Sequence, residues 1–157
     1  MDELERLTIT EEIRRVMARY VRYADHQRWE DLAGLFTPAG TFTPLNPDGS
    51  VRRQMSGREE IVGQLSAVAG PSDVLIHHLF SDEINVESAN SASGIFNMDD
   101  RIIRAERAEA GSTAGLGEPA FKRMEGYGHY HGEFVKIDGA WHIAKLTQTR
   151  LRMDFVY

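Results

Sequence analysis

The sequence contains no cysteine, and that single absence excludes thiol nucleophiles, thiolate metal sites and disulfide staples together. It also lacks any run approaching the roughly 20 apolar residues of a membrane span. The opening segment, MDELERLTITEE, is charged where a signal peptide would be apolar. Neither the G-x-x-x-x-G-K-S/T phosphate loop, nor the G-x-S-x-G nucleophile elbow, nor the H-E-x-x-H metal pattern occurs. Basic excess is missing too: the formal net charge is −6, whereas a phosphate-binding surface needs clustered Lys and Arg. Arg14, Arg15, Arg19 and Arg22 do recur, but Glu11 and Glu12 precede them and the set reads as a solvated helix face. No internal repeat or low-complexity tract interrupts the chain. The expectation is a soluble, cytoplasmic protein that binds neither nucleic acid nor membrane.

What is present is organised around the stretch RYVRYADHQRWEDLAGLF at 19–36. Ile13, Val16, Met17, Tyr20, Val21 and Ala24 fall at the i, i+3, i+4, i+7 spacing of a helix with one buried stripe. Thr10 before Glu11 and Glu12 reads as its N-cap and acidic first turn. The helix runs to about Ala24, and Asp25 stands at the edge of the stripe, where a carboxylate would point into the protein. Burying it costs several kcal/mol, roughly, unless something pairs with it. The rest of the chain has to supply a partner or a cavity. A break at His26, Gln27 and Arg28 leads to a second helix over 29–36, closed by Thr37 and Pro38.

The 157 residues suit a single domain over 1–157 that buries roughly two thirds of its unfolded surface. GTFTPL at 40–45 is β-prone, NPDG at 46–49 is a turn, and a strand returning through 51–55 completes a hairpin. SGREE at 56–60 opens a third helix with Ile61, Val62, Leu65 and Val68 on its apolar side and Gly70, Pro71 at its close. Four β-prone segments follow at 74–87, 92–104, 121–137 and 141–153, with Asp138 and Gly139 as the hairpin turn between the last two. GSTAGLGEP at 111–119 reads as a flexible loop. Gly126, Gly128 and Gly132 within a strand permit bends or bulges. The fold class is α+β: three helices on one face of a curved, mostly antiparallel sheet.

The candidate chemistry lies in Tyr20 and Asp25, His77 and His78, His129 and His131, and Arg150. Each has an ordinary explanation alone, as a hydrogen-bonded strand histidine, a helix-end acid or a surface charge. Together they can form a proton-transfer unit, because a carboxylate beside an imidazole fixes its tautomer and stabilises the imidazolium. Arg150 would stabilise an oxygen, halide or carboxylate that gains charge, and Tyr20 would donate to a carbonyl or a departing hydroxyl. Only one of His77 and His78 can face the helices, since successive strand side chains alternate. His129 and His131 offer two potential metal ligands at strand spacing without an evident third, so no metal is expected.

The segments RYVRYADHQRWEDLAGLF at 19–36, SGREEIVGQL at 56–65, IHHLFSDEINVES at 76–88, ASGIFNMDDRII at 92–103 and EFVKIDGAWHIAKLTQTR at 133–150 carry a resemblance through their order and spacing. The chain resembles the SnoaL-like members of the nuclear transport factor 2-like, scytalone dehydratase and ketosteroid isomerase superfamily. Within that group it looks most like bile-acid 7α-dehydratase-type proteins, with kinship to scytalone dehydratase and hexachlorocyclohexane dehydrochlorinase. The resemblance implies a cone-shaped α+β roll, an Asp and His dyad in a hydrophobic cavity, no metal or organic cofactor, and subunit packing through the outer sheet face. Carried onto this chain, the catalytic positions are Tyr20, Asp25, His77 and Arg150, with Trp29, Phe36, His78, His129 and Tyr130 as substrate-binding candidates. His131 is a further cavity candidate. The expected function is a cofactor-independent, dehydratase-type lyase acting on a polycyclic or aromatic-derived hydrophobic small molecule, in a homodimer or higher homo-oligomer. The alternatives are a ketosteroid-type isomerase and a non-catalytic small-molecule-binding protein.

Overall fold

A computed structural model describes residues 1–104 and 120–157; the glycine-rich loop expected at 111–119 lies outside the described residues. Helix α1 spans Glu3–Asp25 and buries Ile9, Ile13, Val16, Met17, Tyr20 and Ala24 on one stripe. Its N-cap is Asp2 and not Thr10. The Asp2 carboxylate accepts from the Glu5 backbone N–H at 2.7 Å, while the Thr10 hydroxyl donates back to the Arg6 carbonyl at 3.0 Å in mid-helix. An aspartate with two acids after it is a sufficient start of its own, and Ile9 extends the stripe upstream of the residues that signalled the helix. At the other end Gln27 takes a left-handed backbone, φ 54°, which turns the chain into α2, Trp29–Gly34.

Phe36 is not in α2, as expected from its apolar character, but opens strand β1, Phe36–Pro44. The Leu35 carbonyl accepts from the Ile143 N–H at 2.8 Å, which captures the chain onto a strand two residues before Pro38. The Asn46 N–H closes a turn on the Ser50 carbonyl, with Gly49 at φ 85°. The returning strand shrinks to a Leu45–Val51 bridge and the two-residue β2, Met55–Ser56, because the N–H groups of Arg52 and Arg53 both donate to the Pro44 carbonyl and bend the chain between them. Helix α3, Arg58–Leu65, follows.

The remainder is a meander of long strands: β3 Val74–Ser88, β4 Ser91–Ile103, β5 Arg123–Ile137 and β6 Ala140–Val156. The sheet order is β2-β1-β6-β5-β4-β3; β1 runs parallel to β6 and every other pairing is antiparallel. Asp138 and Gly139, both at positive φ, make the tight β5–β6 turn that the sequence indicates. Inner positions of β4 and β5 alternate with outer ones, so Phe96, Met98, Tyr130 and Phe134 join the α1 stripe in one core. The Trp141 indole N–H donates to Glu12 at 2.8 Å and ties the β5–β6 hairpin to α1. No helix among the described residues is long and apolar enough to cross a membrane.

Replacing the true cap should therefore cost more than replacing the apparent one. In urea unfolding, Asp2→Ala is expected to lose about 1 kcal/mol, while Thr10→Ala stays within about 0.5 kcal/mol of the parent.

Candidate active site

Between α1, α3 and the concave face of the sheet lies a cavity of about 90 Å³, measured as room for the centres of water-sized molecules. One water needs on the order of 10–15 Å³ of that measure, and a dry 150 Å³ cavity in another protein admits benzene. That measure leaves room for a compact ring, and the cavity is partly open to solvent. Trp29, Leu65, Leu75, Ile102, Met124 and Met153 give it an apolar wall. The polar groups facing it are Tyr20, His77, Asp100, Tyr130, Gln148, Arg150, Arg52 and Arg53.

Strand alternation settles the histidine register. His77 is paired in register with Asp100, and His78 with Asp99; the first pair faces inward and the second outward. His77 Nδ1 lies 2.8 Å from Asp25 Oδ1, so the end of α1 meets the middle of β3. The histidine side chain is 12% exposed and the aspartate 31%. Asp25 does not line the cavity: it stands behind His77, at the solvent side of the contact, and is less buried than its place on the helix suggests.

Arg150 has a different partner. Its two terminal nitrogens donate to the two Asp100 oxygens at 2.6 and 2.8 Å, with the side chains 6% and 7% exposed. Burial alone would push the Asp100 carboxyl up, but the Arg150 guanidinium, helped by His77 and Arg101, more than offsets this and holds it below its ordinary value. The pair occupies space that only glycine leaves open at position 126, where a β-carbon would run into both Arg150 and Asp100. The same strand carries a register shift between Tyr127 and Gly128, where a β-carbon would strike the Thr149 carbonyl. The glycines expected to permit bends thus make room for the ion pair and for a bulge.

Tyr20 and Tyr130 meet edge to face with ring centroids 5.4 Å apart. Burial is the main reason both phenols are pushed far above the usual tyrosine range; the nearby Asp100 charge adds to it, and a hydrogen bond from Tyr130 to Tyr20 partly relieves Tyr20. Both remain neutral hydroxyls at any ordinary pH.

Of the nine residues singled out from the sequence, Tyr20, His77, Arg150, Trp29 and Tyr130 line the cavity. Asp25 supports it from behind. Phe36 is buried in the core against Tyr20, His78 lies on the outer face with Asp99, and His129 contacts Asn97 on that same face. His131, hydrogen-bonded to Thr149, lies outside the cavity as well. Asp100, Gln148, Arg52 and Arg53 were not anticipated. Asp100 could have been found by period-two counting through ASGIFNMDDRII, where Ala92, Gly94, Phe96, Met98, Asp100 and Ile102 share one face and an acid interrupts an apolar series.

Removing one member of the buried pair strands the other charge. Asp100→Ala is expected to destabilise the protein by about 3–5 kcal/mol at neutral pH. Because the folded Asp100 value is depressed, its contribution is complete above the unfolded aspartate value near 3.9 and fades as pH falls further, through the folded value. The stability gap between parent and variant, followed by urea unfolding at several pH values, should narrow only below about pH 4.

Solved structures share this architecture at low sequence identity. A candidate scytalone dehydratase from Novosphingobium aromaticivorans aligns over 98% of this chain and 91% of its own, with TM-score 0.77 and 17% identity. A type 3 hexachlorocyclohexane dehydrochlorinase, LinA, from Novosphingobium barchaimii aligns over 99% and 94%, with TM-score 0.74 and 17% identity. The beta subunit of a candidate aromatic-ring-hydroxylating dioxygenase from Novosphingobium aromaticivorans aligns over 92% and 90%, with TM-score 0.70 and 13% identity. These likenesses establish a shared nuclear transport factor 2-like fold, and a fold by itself assigns no reaction. The SnoaL-like domain matches residues 5–147, and the chain belongs to that family.

Proposed function

We propose that the chain is a cofactor-independent lyase of the dehydratase type, with His77 as the group that moves the proton. The observation that carries this reading is the 2.8 Å contact between His77 Nδ1 and Asp25 at a histidine that lines an apolar cavity. Asp25 accepts from Nδ1–H, which leaves Nε2 unprotonated for the cavity. Nε2 takes a proton from the carbon next to a carbonyl. The electron pair passes into an enolate, which then expels a β-hydroxyl; the imidazolium returns its proton to that departing oxygen, and the net loss is one water. Tyr20, held neutral and itself accepting from Tyr130, is the donor that stabilises the enolate oxygen.

Arg150 is not the free oxyanion ligand that its position in the sequence suggested, since both terminal nitrogens are committed to Asp100. Its role is to hold the wall beside His77. The substrate is a compact, aromatic-derived hydrophobic molecule. The neighbouring fold of a dehydrochlorinase and of a candidate scytalone dehydratase is consistent with elimination chemistry. An isomerase of the ketosteroid type would use the same groups to remove and return the proton. It is told apart by solvent deuterium entering the product without loss of water. The outer sheet face exposes Phe80, Ile95 and Leu151, which supports a homodimer or higher homo-oligomer; light scattering that gives a monomer at micromolar concentration would contradict it.

The test is turnover of β-hydroxy ketones by parent, His77→Ala and Asp25→Asn proteins. Loss of a positioned proton-transfer group is expected to lower the rate by about 10² to 10⁴. His77→Ala should fall furthest and Asp25→Asn less, because it acts through the histidine. Unchanged turnover in both would remove the reading.

A further inference from the structure

Arg53 faces the same cavity from the opposite edge of the sheet. It precedes β2 at one end of the strand order, whereas His77 lies on β3 at the other, and the curl of the sheet brings both to one lining. The other two arginines of that lining are engaged: Arg150 by Asp100, and Arg52 by Asn46 at 2.9 Å and Met153 at 3.3 Å. Among the described residues no carboxylate pairs with the Arg53 side chain. Burial works against its charge with no acid to offset it. Its backbone N–H is the part that serves the fold, donating to the Pro44 carbonyl. A partly buried guanidinium beside an apolar cavity, with no counter-ion among the described residues, gains from an anion that arrives to share it.

We propose that Arg53 binds a carboxylate on the substrate, so that the molecule taken by this cavity has an apolar body with an acidic group remote from the carbon that faces His77. The inference rests on the reading of this cavity as the site of the reaction. The planar fork of arginine matches a carboxylate bidentately, and a contact far from the reacting carbon anchors the substrate in the ground state and the transition state alike. Loss of Arg53 should then raise KM and leave kcat near its parent value.

The test uses two probes of one shape, 4-phenylbutyrate and its neutral amide 4-phenylbutyramide, titrated calorimetrically. The parent protein is expected to bind the carboxylate at least about tenfold more tightly than the amide, the range of a charged hydrogen bond. Arg53→Gln should bind the two alike, with amide affinity and thermal midpoint unchanged because Arg53 has no acid partner among the described residues to lose. Lys145→Gln, which removes an exposed charge on the outer face, should keep the preference. Equal binding of both probes by the parent, a preference that survives Arg53→Gln, or its loss in Lys145→Gln would each overturn the proposal. His77→Ala is expected to keep the preference while losing turnover, so failure of the anion contact and failure of the proton-transfer reading give different results. Binding of neither probe at millimolar concentration would overturn the anion contact and leave the proton-transfer reading to its own turnover test.

Discussion

Two opposite charges buried side by side constrain most of this molecule. Arg150 on β6 and Asp100 on β4 reach across β5 to share two short hydrogen bonds, and nothing larger than glycine fits at position 126 of the strand between them. Neither charge is tolerable in that place without the other. Their bond therefore fixes how closely the two strands approach over β5, and the adjoining register shift at Gly128 bends the sheet at the same level. The concave face that results is the wall of the cavity.

That wall determines what the remaining groups can do. Asp100 sits opposite His77 in the β3–β4 pairing, so the ion pair and the histidine are neighbours by register and share one low-dielectric surface. The histidine's other partner arrives from a different element: α1 ends at Asp25 within hydrogen-bond reach of β3, held there by the stripe that packs Tyr20 and Ala24 into the core. Helix and sheet each contribute one half of the Asp25–His77 contact. The Trp141-to-Glu12 hydrogen bond braces the same helix nearer its start against the β5–β6 hairpin.

The parts of this arrangement written in local chemistry were legible. The helical stripe, the Asp138–Gly139 turn and the alternating strands rest on periodicity and turn residues, and they appear where these signals place them. The contact between Asp25 and His77 was legible only through the family resemblance, because nothing in either segment encodes the distance between them. Thr10 misled because a good cap residue in mid-helix can return its hydroxyl to the preceding turn. Phe36 misled because an apolar residue after a helix is equally at home in a buried strand. Arg150 was expected to meet a group that gains charge, and its acid went unseen because it lies fifty residues away, on a strand two positions across the sheet. Arg53 gave no signal, since its proposed role depends on which acids lie near it in three dimensions, and among the described residues none pairs with it.

The proposed chemistry requires that Asp25 hold His77 as the Nδ1–H tautomer with Nε2 open to the cavity. Two-bond nitrogen–proton correlation spectra of the histidines resolve this directly, because protonated and unprotonated ring nitrogens resonate far apart. His77 is expected to show protonated Nδ1 and unprotonated Nε2 in the parent protein when the ring is neutral, and to lose that fixed tautomer in Asp25→Asn. A parent spectrum with the proton on Nε2, or one indifferent to the Asp25 substitution, would contradict it.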